Sequence, residues 1–199
     1  MKTSKPHSPI TRSKGFTLIE LLVVIGIIAA LAAISFPVTV TLLKKARRVA
    51  AISTMESLET SINRFYSDYG YLPSNKRSNP PSWDDQVWTN RGDGSIFLRV
   101  ITGSEELLNT KEKKYFSAPE AEGKKGGIVW QNGKPTYLYD KFGNGFGILL
   151  DYNYDETLKI PNIYKPEGDG LVKGRRVLIW NAGPDRKMGT KDDIKSWEN

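Results

Sequence analysis

The sequence predicts an α+β chain in which one long N-terminal helix, membrane-spanning in its first half and amphipathic in its second, packs on a small antiparallel β-sheet head. Three observations carry this. Leu21–Ile34 is an unbroken apolar run without a charge. Beyond Leu43 apolar residues recur every three or four positions as far as Tyr69, the period of a half-buried helix. Late in the chain, short β-branched and aromatic segments alternate with glycine-rich gaps, which favours antiparallel strands over crossover-linked parallel ones. With 199 residues there is room for one ordinary domain and an appendage. The expected division is a basic leader over 1–15, a membrane half of the helix over 16–43, an amphipathic half over 44–70, and a head over 71–199.

Charge supports this division. Lys2, Lys5, Arg12 and Lys14, with no acid among the first fifteen residues, account for +4 of the formal +7 and leave +3 for the rest. A small charge mixed with acids is a poor phosphate-binding footprint, so no nucleic-acid partner is expected. Concentrated ahead of an apolar run, the same charge reads as a signal that holds the flank on the cytoplasmic side. There is no cysteine, so any stapling of the head must come from a metal or from neighbouring subunits.

The apolar stretch from Phe16 to Leu43 has the length of a membrane span and is closed by Lys44, Lys45, Arg47 and Arg48. No small-residue cleavage site follows it; the processing point is expected before it, at Gly15. Glu20 lies inside it, about one helical turn from Phe16. An unpaired carboxylate in hydrocarbon costs several kcal/mol, so Glu20 must lie near headgroups or find a cation. An amine freed at Phe16 would stand at i, i+4 spacing to it, or could come from a neighbouring subunit.

Lys14-Gly-Phe-Thr-Leu-Ile-Glu20 followed by the run resembles the processing and methylation signature of type IV prepilins and type II secretion pseudopilins. The resemblance implies that prepilin peptidase cuts after Gly15 on the cytoplasmic face and that Phe16 becomes an N-methylated terminus. It implies that Glu20 guides docking into a growing filament and that Pro37 perturbs the helix where family members carry a proline.

Val49, Ile52, Met55, Leu58 or Glu59, Ile62, Phe65 and Tyr69 form the apolar stripe of the second half, with no strong breaker between Pro37 and Gly70. Gly70 supplies the backbone freedom of a helix end and Pro73 prevents resumption. Phe65–Pro73 is similar to the helix exit of major pseudopilins. Ser74–Asp93, with Trp83 and Trp88, reads as an irregular connection whose tryptophans lie on the head. Ile96–Leu108 is expected to be a short helix, and Thr110–Gly127 a solvated charged segment. Strands are expected at Gly127–Trp130, Pro135–Tyr139, Phe146–Leu150, Asp151–Tyr154 and Arg176–Trp180, the first two joined by a turn over Gln131–Lys134. Asp140–Asn144 resembles an aspartate–aromatic–glycine–asparagine turn of the major pseudopilins, with Lys141 in place of their usual proline.

The tail from Trp180 to Trp197 gathers Asp185, Asp192 and Asp193 in a glycine-punctuated loop closed by Ile194 and Trp197. Hard cations such as calcium take six to eight oxygens from carboxylates, carbonyls and water, and a loop of this length can converge such oxygens. Two readings stand: the aspartates hold a metal, or they cap turns and face water with Arg186 and Lys187 balancing them. The loop resembles the C-terminal calcium loop of the major pseudopilin, which implies Asp185, Asp192 and Asp193 as side-chain ligands, with Thr190 and Asn181 contributing oxygens.

His7, the one histidine, lies in the expected leader, so a histidine triad in the mature chain is excluded, and no cysteine nucleophile exists. Gly143–Gly147 lacks the lysine and serine of a phosphate loop and reads as a turn. No enzyme is expected. The resemblance implies a structural subunit of a secretion pseudopilus: single-pass in a bacterial inner membrane, head outside the cytoplasm, polymerising with copies of itself and with minor pseudopilins in the periplasm. Its further partners would be membrane lipid, prepilin peptidase, an inner-membrane assembly platform and a cytoplasmic ATPase. Two alternatives stay open, a type IV pilin serving adhesion, motility or DNA uptake, and a membrane-anchored binding module that never polymerises.

Overall fold

A computed structural model describes residues 15–74, 85–164 and 168–198, and within its helices and strands the side chains at 34–38, 85 and 93 fall outside the description. The leader's residues 1–14, the side chain of Pro37, and Trp83 in the connection after the first helix therefore lie outside the described residues. The chain divides into two compact units, Met1–Leu43 and Lys44–Asn199. Helix α1, Leu18–Tyr69, contributes its residues through 43 to the first and the remainder to the second.

In the first unit the helix presents Leu18, Ile19, Leu21, Leu22, Ile25 and Ile28, all exposed. So much contiguous apolar surface marks a face meant for contact with protein or lipid. Among the described residues no helix is long and apolar enough to cross a membrane.

In the second unit α1 buries Ala51, Met55, Leu58, Ile62 and Phe65, a stripe at alternating steps of four and three. Leu58 rather than Glu59 occupies the stripe, whereas Val49 lies off it and is exposed. Gly70 ends the helix in the left-handed region, φ 76°, its N–H donating to the Tyr66 carbonyl at 2.8 Å.

A four-stranded antiparallel sheet faces that stripe within one core, in the order β1-β4-β7-β8: β1 Asp85–Trp88, β4 Gly147–Leu150, β7 Val177–Asn181, β8 Ile194–Lys195. Two hairpins stand beside it, β2 Gly127–Gln131 with β3 Lys134–Tyr139, and β5 Thr157–Lys159 with β6 Leu171–Lys173. The β2–β3 turn is Asn132-Gly133, both with positive φ (51° and 72°), the pairing that a two-residue hairpin requires. Helix α2, Gly92–Thr102, lies against β3 and β1 and adds Phe97, Leu98 and Ile101 to the core.

Gly147 is required by close approach. A Cβ there would run into the Trp180 ring, which is buried and stands edge-on to Trp88 with centroids 5.6 Å apart.

The head departs from expectation in several places, the unforeseen short strands β5, β6 and β8 among them. The connection at 74–93 contains β1, a strand too short to show periodicity and defined only by its pairing with β4. α2 begins earlier and stops at Thr102 rather than Leu108, because Gly103 turns left-handed (φ 79°) and caps it with N–H bonds back to Val100 and Arg99 carbonyls through Gly103 and Ser104. The charged segment 110–127 is solvated only in part: Phe116 is buried and both Tyr115 and Phe116 donate N–H to the Ile101 carbonyl. Asp151–Tyr154 is a bend instead of a strand: after the Asp151 N–H bond to the Arg176 carbonyl, the Asp151 and Asn153 side chains take the Glu156 and Asp155 amides and turn the chain.

Candidate functional sites

Two sites stand out, one in each unit. In the first, Thr17 and Glu20 close on each other as a capping box. The Thr17 N–H and hydroxyl both donate to Glu20 Oε2, at 2.8 and 2.7 Å, and the Glu20 N–H returns to Thr17 Oγ1 at 3.3 Å. Reciprocal bonds of this kind satisfy amides that the first turn of a helix leaves bare. Gly15 and Phe16 precede the helix, outside any regular element and exposed. The arrangement leaves the 15–16 peptide accessible and holds the one acid of the segment at the helix start. The Thr17 role in this box follows a T-x-x-E spacing that is present in the sequence.

In the second unit the acidic loop connects β7 to β8, and their pairing, Asn181 opposite Ile194, brings its two ends together. One carboxylate oxygen each from Asp185, Asp192 and Asp193 lies within 4.8 Å of the others. The Thr190 hydroxyl sits between two of them, donating within reach of Asp192 Oδ1 at 2.6 Å and Asp193 Oδ1 at 3.0 Å. Backbone amides orient the acids: Asp185 N–H to Asp192 Oδ2, Lys187 N–H to Asp185 Oδ1, and Gly189 N–H to Asp193 Oδ2, all within 2.7–2.9 Å. Burial raises the Asp192 carboxyl, but the Thr190 hydroxyl and the Asp185 amide outweigh it and hold the group below the usual carboxylate range. Gly183, at φ 62°, lets the loop close; a Cβ there would collide with the Asp192 carbonyl.

Neither Arg186 nor Lys187 forms an ion pair with these acids among the described residues, and Arg48, reaching over from α1, donates to the Asp192 carbonyl oxygen at 2.7 Å. Three hard oxygens thus converge with no ion pair to their carboxylates among the described residues, a donor set that fits calcium. Asn181 stands at the base of the loop, at the end of β7. Its Oδ1 accepts the Gly183 N–H and its Nδ2 donates to the Gly145 carbonyl, so its side chain serves the loop's base.

Further residues support the loop, beginning with the Asp140–Asn144 turn that the sequence marks. Asp140 takes the N–H groups of Phe142 and Asn144, and Asn144 Nδ2 donates to the Gly183 carbonyl at 2.7 Å, tying the 140–144 turn to the acidic loop. The Tyr164 hydroxyl donates to Met188 Sδ at 3.3 Å, and its ring stands edge-on to Trp197. Burial first, and then the nearby Asp193 charge, push the Tyr164 pKa upward.

A family model described as the prokaryotic N-terminal methylation motif matches residues 10–36. A type IV major pilin protein of Neisseria gonorrhoeae is 37% identical over 134 residues, 65% of this chain and 81% of that protein. A fimbrial protein of Neisseria meningitidis is 38% identical over 68 residues, covering 34% of this chain and 40% of its own length. The type II secretion system core protein G of Escherichia coli is 24% identical over 186 residues, 94% of this chain and 92% of that protein. No solved structure gives a significant match.

Proposed function

This chain belongs to the family of type IV pilins and type II secretion pseudopilins, whose members are structural subunits rather than enzymes, and we propose that it builds a type II secretion pseudopilus. In this reading the leader is removed after Gly15, Phe16 is methylated, and the apolar stretch 16–43 anchors the subunit in the inner membrane before passing into the filament. The exposed apolar face of the first unit supports it: passing from lipid into a filament, such a face exchanges lipid contacts for close van der Waals packing on neighbouring helices. Glu20, already gathered at the helix start, is positioned to take a neighbouring amine in place of Thr17.

The observation that carries the secretion assignment is the convergent carboxylate loop, within a chain whose likeness to core protein G runs over 94% of its length. A second reading, a type IV pilin for adhesion, motility or DNA uptake, is favoured by the higher identity to the gonococcal pilin, 37%. Calcium held by Asp185, Asp192 and Asp193 would tie the β7–β8 connection to the head, with Thr190 turning from hydrogen-bond donor to ligand neighbour.

Intact mass of the mature subunit tests processing. Loss of residues 1–15 together with one added methyl is expected, and a chain retaining its leader contradicts the reading. Deleting the gene then separates the two filaments: loss of exoprotein release with surface pili intact supports the pseudopilus, whereas lost pili with normal secretion supports the pilin.

A further inference from the structure

The segment joining β4 to β5 reads Asp151-Tyr-Asn-Tyr-Asp-Glu-Thr157, with an oxygen-bearing side chain at every second residue. Asp or Asn at the first, third and fifth positions is the spacing by which a calcium loop presents side-chain oxygens from one turn. A left-handed residue at the sixth and a carbonyl at the seventh belong to the same pattern, whose first seven positions this segment follows; the twelfth, a bidentate Glu in a full EF-hand, is Asn162 here. Glu156 holds the left-handed position, φ 56°, and Thr157 opens β5 ahead of the fully buried Leu158.

An ordinary turn can have that spacing, and Asp151 separates the two cases. Its side chain is fully buried. Its Oδ2 accepts the Glu156 N–H at 2.9 Å, which sets the carboxyl group inside the loop. Its Oδ1 is buried with no hydrogen-bond partner among the described residues. A carboxylate oxygen withdrawn from water is costly to leave bare, and such groups are paired or coordinate a cation. Arg176, whose carbonyl takes the Asp151 N–H, directs its guanidinium to Glu156 and over the Tyr66 ring.

We propose that Asp151–Thr157 is a calcium site, distinct from the C-terminal loop, with Asp151 Oδ1, Asn153 Oδ1, an Asp155 carboxylate oxygen and the Thr157 carbonyl as ligands and water completing the shell. Asn153 Oδ1 and both Asp155 oxygens accept local bonds, from the Asp155 N–H, the Thr157 N–H and Asn153 Nδ2. Each oxygen keeps a second lone pair for a metal. The loop is held at both ends by ladder bonds, Asp151 N–H to the Arg176 carbonyl and Gly174 N–H to the Glu156 carbonyl. Its tyrosines reach the exit of α1: Tyr152 donates to the Pro73 carbonyl, and Tyr154 accepts the Leu72 N–H. An ion here would therefore stiffen the seat of the helix end.

Calorimetric titration of calcium chloride into the full-length protein in detergent tests the site. In a chain carrying Asp192→Asn, which takes the C-terminal loop out of play, one ion is expected to bind, and adding the exposed Asp155→Ala should weaken it at least tenfold. No binding in the Asp192→Asn chain, or binding unchanged by Asp155→Ala, overturns the proposal. Should Asp192→Asn fail to fold, the unaltered chain and Asp155→Ala alone are compared. One equivalent fewer in the variant supports the site, and equal stoichiometry overturns it.

Discussion

Glu20 shows how a single side chain serves two states. In the free subunit its carboxylate is satisfied locally by Thr17, through both the amide and the hydroxyl. A neighbour's terminal amine competes with those bonds by offering a full charge, and in apolar surroundings charge-assisted bonds exceed neutral ones. Glu20→Ala should therefore leave cleavage after Gly15 intact and cut filament yield sharply, read by shearing and immunoblot; normal yield contradicts the docking role. Thr17→Ala should keep assembly, because it removes only the local competitor. Gly147 makes a different kind of point. Its hydrogen fills the only space beside the buried Trp180 ring, so Gly147→Ala should destabilise the head by about 1–3 kcal/mol in denaturant titration.

Among the elements, the end of α1 is held by more than its own cap. Lys113 Nζ and the Tyr115 hydroxyl both donate to Asp68 Oδ2, at 2.8 and 2.7 Å, clipping the segment after α2 to the helix. Lys113 first, then Tyr115, hold the Asp68 carboxyl below the usual aspartate range. The folded state then releases this proton more readily than the unfolded chain. Its stabilisation is complete above the unfolded pKa and is lost as pH falls through the folded one. Asp68→Asn should melt below the unaltered protein at neutral pH and converge with it only once pH has fallen through the lowered folded pKa, where both carry a neutral side chain. Parallel melting curves across that range would remove the clip from the account.

Legibility varied with the distance over which each element is defined. Helix α1, its end at Gly70 and the Asn132-Gly133 hairpin were readable because spacing and backbone preference are local. β1, β5 and β6 were not, since strands of three or four residues exist only through partners: Val87 opposite Ile148, Leu158 opposite Val172. Phe116 escaped notice among lysines for the same reason. The acids of the C-terminal loop were legible as residue types, while the diversion of Asn181 to Gly145 and Gly183 depended on strands meeting across the fold.

At the scale of the whole molecule, a head without disulfides closes its chain end with a two-residue strand, β8, and the loop before it. Three mutually close carboxylates are held there by backbone amides and the Thr190 hydroxyl. A bound calcium would add a tether between β7, β8 and the 140–144 turn. Ligand present at a hundred times its dissociation constant adds about 2.7 kcal/mol to a folded state that alone binds it. For a head of this size that amounts to a melting shift of roughly 5–10 °C. Full-length protein in detergent should therefore melt higher in calcium than in a calcium chelator, and Asp193→Asn should lose most of that difference. Asp155→Ala should keep the part due to this loop, because the two sites share no residue. Identical melting curves in calcium and in chelator would leave Asp185, Asp192 and Asp193 as turn caps, and with them would go the observation that favours a secretion filament over a pilus.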